Sequence, residues 1–277
     1  MAKGIGLIGN FKGKVGNMVG YKLSDSNTGN SQGIRVYQPI VRNPKTSAQA
    51  EQRAKLAPIN ATYRALKMVI DRGNEGLPYG NKSRLAWLKT ALKVNGMPWF
   101  IKGTQPTYPI VCPLTKGSLA GLNYSVDDGT IEIDVPNLTE GTAVDTVAAV
   151  SKALMAGYNF LKEGDQITIV ALWGHNIGME THVFSFVLST TDTSALSGFT
   201  AGVAVLTYGC PIDSQFGSII ISREGDNGAH LRSTSNLKGK TGVTDAAPYN
   251  DTSKAAAINS YMSSASANSD WAEESIQ

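Results

Sequence analysis

Residues 122–135 read LNYSVDDGTIEIDV. Leu122, Tyr124 and Val126 alternate with polar residues before Asp127-Asp128-Gly129, and Ile131, Ile133 and Val135 do so after it. A side-chain period of two on both sides of an Asp-Gly turn predicts an antiparallel hairpin with one buried face. Glu132 and Asp134 then fall on the solvated face. Downstream, QITIVALWG at 166–174 is apolar enough for a central strand, and 183–188, 203–206 and 218–222 read as further strands. Between hairpin and strand, Val147, Val150, Leu154, Tyr158 and Leu161 mark one helical face, opened by Thr142 and Asp145. Strands with at least one helix packed on them predict an α+β domain, mainly antiparallel.

Upstream the composition changes. Glycines at 4, 6, 9, 13, 16 and 20 alternate with Lys3, Lys12, Lys14 and Lys22, predicting a basic Gly-rich arm or a hairpin with Val15, Met18 and Tyr21 turned inward. SDSNTGNSQG at 24–33 is a polar loop by composition, and Ile34, Val36 and Ile40 with Arg35 and Arg42 read as a basic-edged strand. Asn43-Pro44 ends that strand, and Thr46 with Gln49 forms a capping box that opens a helix. Pro58 is expected to break or kink it. Beyond lies an apolar face of Ile59, Tyr63, Leu66 and Ile70, with Arg64, Lys67 and Arg72 off it. Leu85, Leu88 and Leu92 suggest a second apolar stripe, and Lys82, Lys89 and Lys93 share the solvent face of that amphipathic helix.

Prolines at 98, 106, 109 and 113 mark 95–113 as a boundary. The predicted organisation is therefore a basic arm or hairpin with helices over 1–100, an α+β sheet domain over 101–247, and a Ser/Ala-rich tail over 248–277. A short helix near 252–264 is expected within that tail.

Charge divides at the same place. The first hundred residues hold 16 Lys or Arg against 4 Asp or Glu, and the remainder hold 9 against 18. The net charge of +3 hides this asymmetry. So large a local excess calls for counter-charge, either nucleic-acid phosphates or an acidic protein surface. The contact candidates are Lys12, Lys14, Lys22, Arg35, Arg42, Arg53, Arg64, Lys82, Lys89 and Lys93. Contact with phosphates would be to the backbone without base readout, because no reading module is present.

Catalytic signatures fail their context tests. Gly4, Gly6 and Gly9 match a dinucleotide fingerprint, but only three residues precede Gly4 where a strand is needed. GNFKGK at 9–14 is one residue short of a phosphate-binding loop. His175, Glu180 and His182 in WGHNIGMETH supply too few converging ligands for zinc, and no Ser sits in a nucleophile elbow. Cys112 and Cys210, the only cysteines, read as free thiols of a reducing compartment. The opening MAKGIGLIGNFKGK has an apolar stretch too short and too broken for a secretory signal. No run approaches the roughly 18 apolar residues of a membrane-spanning helix. The expectation is a protein without catalytic residues, metal or cofactor, and with no membrane contact.

Gly13-Lys14-Val15-Gly16-Asn17, the basic strand that follows, and Asn43-Pro44-Lys45-Thr46 with Gln49, Gln52 and Arg53 resemble an uncharacterised family. That family, a domain of unknown function, is common in Bacteroidetes genomes and their phages, and the match spans roughly residues 10–70 by motif. The resemblance implies a bacterial or phage context and carries no activity. Together with the charge division it gives the leading expectation: a non-enzymatic phage virion protein, located in the virion or the host cytoplasm, that oligomerises with other virion subunits. Its basic region would meet nucleic acid or an acidic subunit surface while its second region mediates assembly. The alternative is a bacterial glycan- or protein-binding module using aromatics around Trp173, Tyr208 or Trp271.

Overall fold

The computed structural model describes residues 13–22, 32–37, 46–103, 108–175, 178–225, 228–243 and 249–263. The chain falls into two units, Met1–Pro44 and Lys45–Gln277.

In the first unit, β1 (Gly13–Val15), β2 (Met18–Lys22) and β3 (Gln32–Val36) form an antiparallel meander in that order. Gly16 turns β1 into β2 at φ +57°, a left-handed conformation that favours glycine. Lys14 pairs with Val19 and Val19 with Arg35, so all three share one face. Met18 pairs with Val36 on the other face. Met18, expected to turn inward, is exposed, and Val36 is 71% exposed. Three short strands offer too little apolar surface to bury either residue.

The second unit opens with α1 (Ser47–Ala65), α2 (Lys67–Ile70) and α3 (Asn81–Ala91). There follow β4 (Pro113–Thr115), β5 (Tyr124–Asp127), β6 (Thr130–Asp134), α4 (Val147–Gly157), β7 (Gln166–His175) and β8 (Gly178–Val187). The chain continues through β9 (Phe199–Ala201), β10 (Val205–Gly209), β11 (Phe216–Glu224), β12 (His230–Arg232), β13 (Ser235–Asn236), β14 (Lys238–Gly239) and α5 (Asp251–Ser263). All strand pairs are antiparallel, in a central sheet ordered β12-β11-β7-β8 and a second ordered β5-β6-β10-β9. β14 also pairs with β11, and β13 with β4. The fold is α+β.

Strand alternation explains the layering. Ile167, Ile169 and Ala171 of β7, with Ile219 and Ile221 of β11, enter a core shared with Ile131, Ile133, Leu154 and Leu206. Val170 and Leu172 of β7, with Phe216 and Ile220 of β11, enter a second core with Ile59, Ile70, Trp87 and Leu114. The central sheet is thus buried on both faces, which is why 166–174 reads as an unbroken apolar run. The helical layer α1–α3 lies on one side of it. The small sheet and α4 lie on the other.

Several expectations change. Thr46 caps α1 as predicted, its hydroxyl accepting from the Gln49 N–H at 3.3 Å. Pro58 does not end the helix, which runs on to Ala65 with Pro58 buried inside it. Burial of Ala54, Pro58, Ile59 and Thr62 outweighs the roughly 3 kcal/mol that an interior proline costs. The face of α3 that packs inward is Ser83, Trp87 and Ala91, whereas Leu85 and Leu92 are exposed. One large indole between two small residues fills the space that the leucine spacing suggested for Leu85 and Leu92, while Leu88 packs at its edge. Thr146, not Thr142, caps α4, accepting from Ala149 N–H at 3.3 Å. The predicted strand at 203–206 starts later, at Val205, because Ala204 takes φ +57° in the preceding turn.

The boundary expected at 95–113 is instead a wall of the second core, where Met97, Ile110, Cys112 and Leu114 are buried. Proline rings are apolar and lack an N–H, so an irregular chain can be buried there with fewer donors to satisfy. The helices therefore fold with the sheet, and the chain divides at 44/45 instead of 100/101. Residues 249–263 also belong to this unit. Lys254 reaches Glu51 of α1 at 3.3 Å, and the Tyr249 hydroxyl donates to the Pro109 carbonyl at 2.7 Å. Residues 264–277, including Trp271, lie outside the described residues.

Two polar devices hold the layers together. The Asp165 carboxylate, its side chain 1% exposed, accepts from Arg223 Nε at 2.6 Å, Arg223 Nη2 at 2.7 Å and the Lys162 N–H at 2.8 Å. On the helical side, the Glu75 carboxylate accepts from the N–H groups of Ser118 (2.8 Å) and Arg232 (3.0 Å) and from the Ser118 hydroxyl. Gly117 is required at this crossing, since a Cβ there would come within 2.6 Å of the Glu75 carboxylate.

Candidate interaction surface

The predicted contact residues separate into three groups. Lys14 and Arg35 share one face of the meander, both exposed, with the Lys14 ammonium 3.7 Å above the Tyr37 ring. Tyr37 lies two residues after Arg35, on the same face by alternation. Lys12 and Arg42 lie outside the described residues, as does the side chain of Lys22 in β2.

The second group is on α1. Arg53 and Arg64 are exposed and eleven residues apart, about three helical turns, so they nearly share an azimuth. The third group is α3 and its end. Lys82, Lys89 and Lys93 are exposed, opposite the buried Ser83, Trp87 and Ala91. Both helices thus direct cations away from the central sheet.

Lys67 and Arg72 join this surface, although they were not among the predicted contacts; both are exposed. Their position off the Ile59–Ile70 apolar face was the available signal. Arg84 is half-buried, its guanidinium 4.5 Å from the Tyr63 ring centroid. Exposed apolar side chains, Met68 (81%) and Leu85 (47%), stand among the cations. The leucine periodicity pointed the other way, so their exposure was not legible in the sequence.

Electrostatically the helical surface is one-sided. Residues 46–103 carry ten Lys or Arg against three Asp or Glu. Those three acids are committed within the fold. Glu51 meets Lys55 and Lys254, Asp71 accepts from the Tyr63 hydroxyl at 2.9 Å, and Glu75 is held as described. Among the described residues, Arg53, Arg64, Lys67, Arg72, Lys82, Lys89 and Lys93 form no ion pair. Nothing within the described protein neutralises them.

The groups considered for chemistry are occupied otherwise. His182 Nε2 lies 3.0 Å from the Tyr208 hydroxyl, with the two rings nearly parallel. Glu180 pairs in register with Trp173, and the side chain of His175 is outside the described set. His230 sits beside the Tyr79 ring. No three His, Cys, Asp or Glu converge among the described residues. At the hairpin tip Lys240 bridges Asp127 and Asp128. The Asp128 N–H and then Lys240 hold the Asp127 carboxyl below its ordinary value, so this pair is a salt-bridged turn. A concavity of about 510 Å³ beside Asn74, Leu77 and Lys116 contains Glu75, whose oxygens are already engaged. Cys112 is buried and Cys210 half-buried, both as free thiols.

No family model, curated protein or solved structure matches this chain.

Proposed function

We propose that this is a non-enzymatic structural protein of a phage virion. Its basic region meets a negatively charged surface, and its sheet region takes part in assembly. One observation carries the proposal: seven exposed cations on α1–α3 and the turns that follow α2 and α3 lack any ion pair among the described residues, while the three acids of that layer are engaged internally. The meander adds Lys14 and Arg35 on one face and exposed Met18 and Val36 on the other. A surface with unmatched charge and uncovered apolar side chains is suited to a partner. Virion or host cytoplasm is the proposed location. The described residues include no helix long and apolar enough to cross a membrane.

The glycan-binding alternative has less support. As a glycan- or protein-binding module it relies on exposed aromatics at Trp173, Tyr208 or Trp271; Tyr208 is buried and Trp173 half-buried, and Trp271 lies outside the described residues. Filter binding of the full chain to single- and double-stranded DNA and RNA over a salt series tests the nucleic-acid form. Retention that falls steeply with salt is expected, because each neutralised phosphate releases counterions. Retention that is weak and insensitive to salt for all four rules that form out.

A further inference from the structure

The unmatched cations have a counterpart on the far side of the same unit. Segments 117–165 and 189–215, which build the small sheet, α4 and their connections, carry ten Asp or Glu against two Lys, and seven of those acids remain once Asp127 and Asp128 are paired with Lys240 and Asp165 with Arg223. In β6, Ile131 and Ile133 are buried, so Glu132 and Asp134 point outward, away from the central sheet. Glu140 and Asp145 are exposed on the following loop. Val203, 75% exposed, belongs to the turn beside Asp134, since Val205 pairs with Asp134 and the Val135 N–H donates to the Ala204 carbonyl. Carboxylates with an exposed apolar side chain on this face mirror lysines with Met68 and Leu85 on the helical face.

The two faces cannot neutralise each other within one molecule. They are separated by the central sheet and two layer spacings of about 10 Å each. That is more than two Debye lengths at physiological salt, about 8 Å each. Their attraction can be satisfied only between molecules.

We propose that copies of this chain associate head to tail, the basic α1–α3 face of one on the acidic β6 face of the next. This rests on the reading above that the basic region meets negative charge, and it names the partner as a second copy. Such an interface is heterologous, so it leads to a ring if the rotation closes and to a filament if it does not. The exposed apolar side chains favour a protein partner over phosphates, which offer nothing for Met68 or Leu85 to pack against.

The test uses the full chain in sedimentation velocity across a salt series. One variant reverses the basic face (Lys82→Glu, Lys89→Glu, Lys93→Glu) and another the acidic face (Glu132→Lys, Asp134→Lys). The wild type is expected to associate at low salt and dissociate as salt rises. Each variant alone should associate roughly a hundredfold more weakly, because like charges then face each other. An equimolar mixture should regain association, since every contact between unlike variants is again of opposite sign. A variant whose circular dichroism departs from wild type is replaced by its Gln form, for which weaker self-association is expected; mixing should then restore only pairwise contact, between the unaltered basic face of one variant and the unaltered acidic face of the other.

A wild type that stays monomeric at about 100 μM in low salt overturns the proposal, since even a weak contact would appear there. So does a charge-swapped mixture that fails to recover. Filter binding of the same proteins separates the two levels. A monomer that retains DNA through the three lysines defeats this inference and leaves the broader reading standing with nucleic acid as partner. A monomer that retains no DNA defeats this inference and the nucleic-acid form together, and restricts the broader reading to an acidic surface on a different subunit.

Discussion

Replacing Asp165 by Asn is expected to cost about 3 kcal/mol of stability. The substitution keeps the side chain's size, removes its charge, and turns one acceptor into a donor facing the Arg223 guanidinium. In the native protein that guanidinium reaches Asp165 at 2.6 and 2.7 Å and the Phe160 carbonyl at 2.7 Å. Breaking a buried pair by removing one partner typically costs about 3–5 kcal/mol, because the remaining charge is left uncompensated. Arg223 retains 19% side-chain exposure, so water relieves part of this and the lower end applies. For a chain of this size, 3 kcal/mol corresponds to a melting point lowered by about 6–12 °C.

Urea titration followed by tryptophan fluorescence, with thermal melting by circular dichroism, measures both quantities. The decisive control is the double variant Asp165→Leu, Arg223→Met, which exchanges the pair for apolar side chains of similar size. Its stability should lie closer to wild type than either single variant, because no lone charge remains buried. The reasoning is refuted if Asp165→Asn falls within about 1 kcal/mol of wild type, the scale of an ordinary substitution. It is also refuted if the double variant loses as much as the two singles added together.

Three further expectations concern the helical side. Burial pushes the Glu75 carboxyl up, but the N–H groups of Ser118 and Arg232 and the Ser118 hydroxyl outweigh it and hold it below its ordinary 4.5. Its stabilisation is therefore present above that value and lost as pH falls through the lower, folded-state value. Urea midpoints between about pH 5 and pH 3 should drop less steeply for Glu75→Gln than for wild type, and parallel slopes would contradict the tie. Thr62, fully buried, donates to the Pro58 carbonyl at 2.9 Å and accepts from the Ile110 N–H at 3.0 Å. Thr62→Val should lose about 1–3 kcal/mol by leaving that N–H unpaired, whereas Thr62→Ser should lose about 0.8 kcal/mol for the methyl; equal losses in denaturant titration would discount the bond. Burial pushes the Cys112 thiol up to about 12, so a disulfide reagent should reach Cys112 only after unfolding. Prompt reaction of both thiols in the native protein would show that the second core is open.

Where local chemistry decides an element, the sequence was informative. The Thr46 cap, the 127–129 turn and the alternation of β5 and β6 depend on neighbouring residues, and they appear as read. The errors arose where distant segments choose the outcome. Pro58 stays helical because α1 is buried, and α3 turns Trp87 inward because a sheet lies beneath it. The proline-rich 95–113 stretch is core because Ile110 and Cys112 meet Phe216 and Leu237, partners more than a hundred residues away. As for the surface, its sign was plain from composition and most of its cations were named. Its opposition to the carboxylates of β6 depends on the layer order, which composition does not contain.

The two ends of the second unit are needed together. α5 lies on α1, and β13 pairs with β4, so the helical layer is incomplete until residues near 263 have been made. About 200 residues separate the end of α1 from the end of α5, which at about 5–20 residues per second is roughly 10–40 s of synthesis. For the part of that interval before β7 and β11 are made, Ile59, Leu66, Ile70 and Trp87 have no sheet to cover them. The nascent chain then presents its stickiest surface together with its greatest positive charge, and like-charged neighbours on a polysome repel one another. The lysines would thus act twice over the protein's lifetime, first keeping unfinished chains apart and later drawing finished ones together.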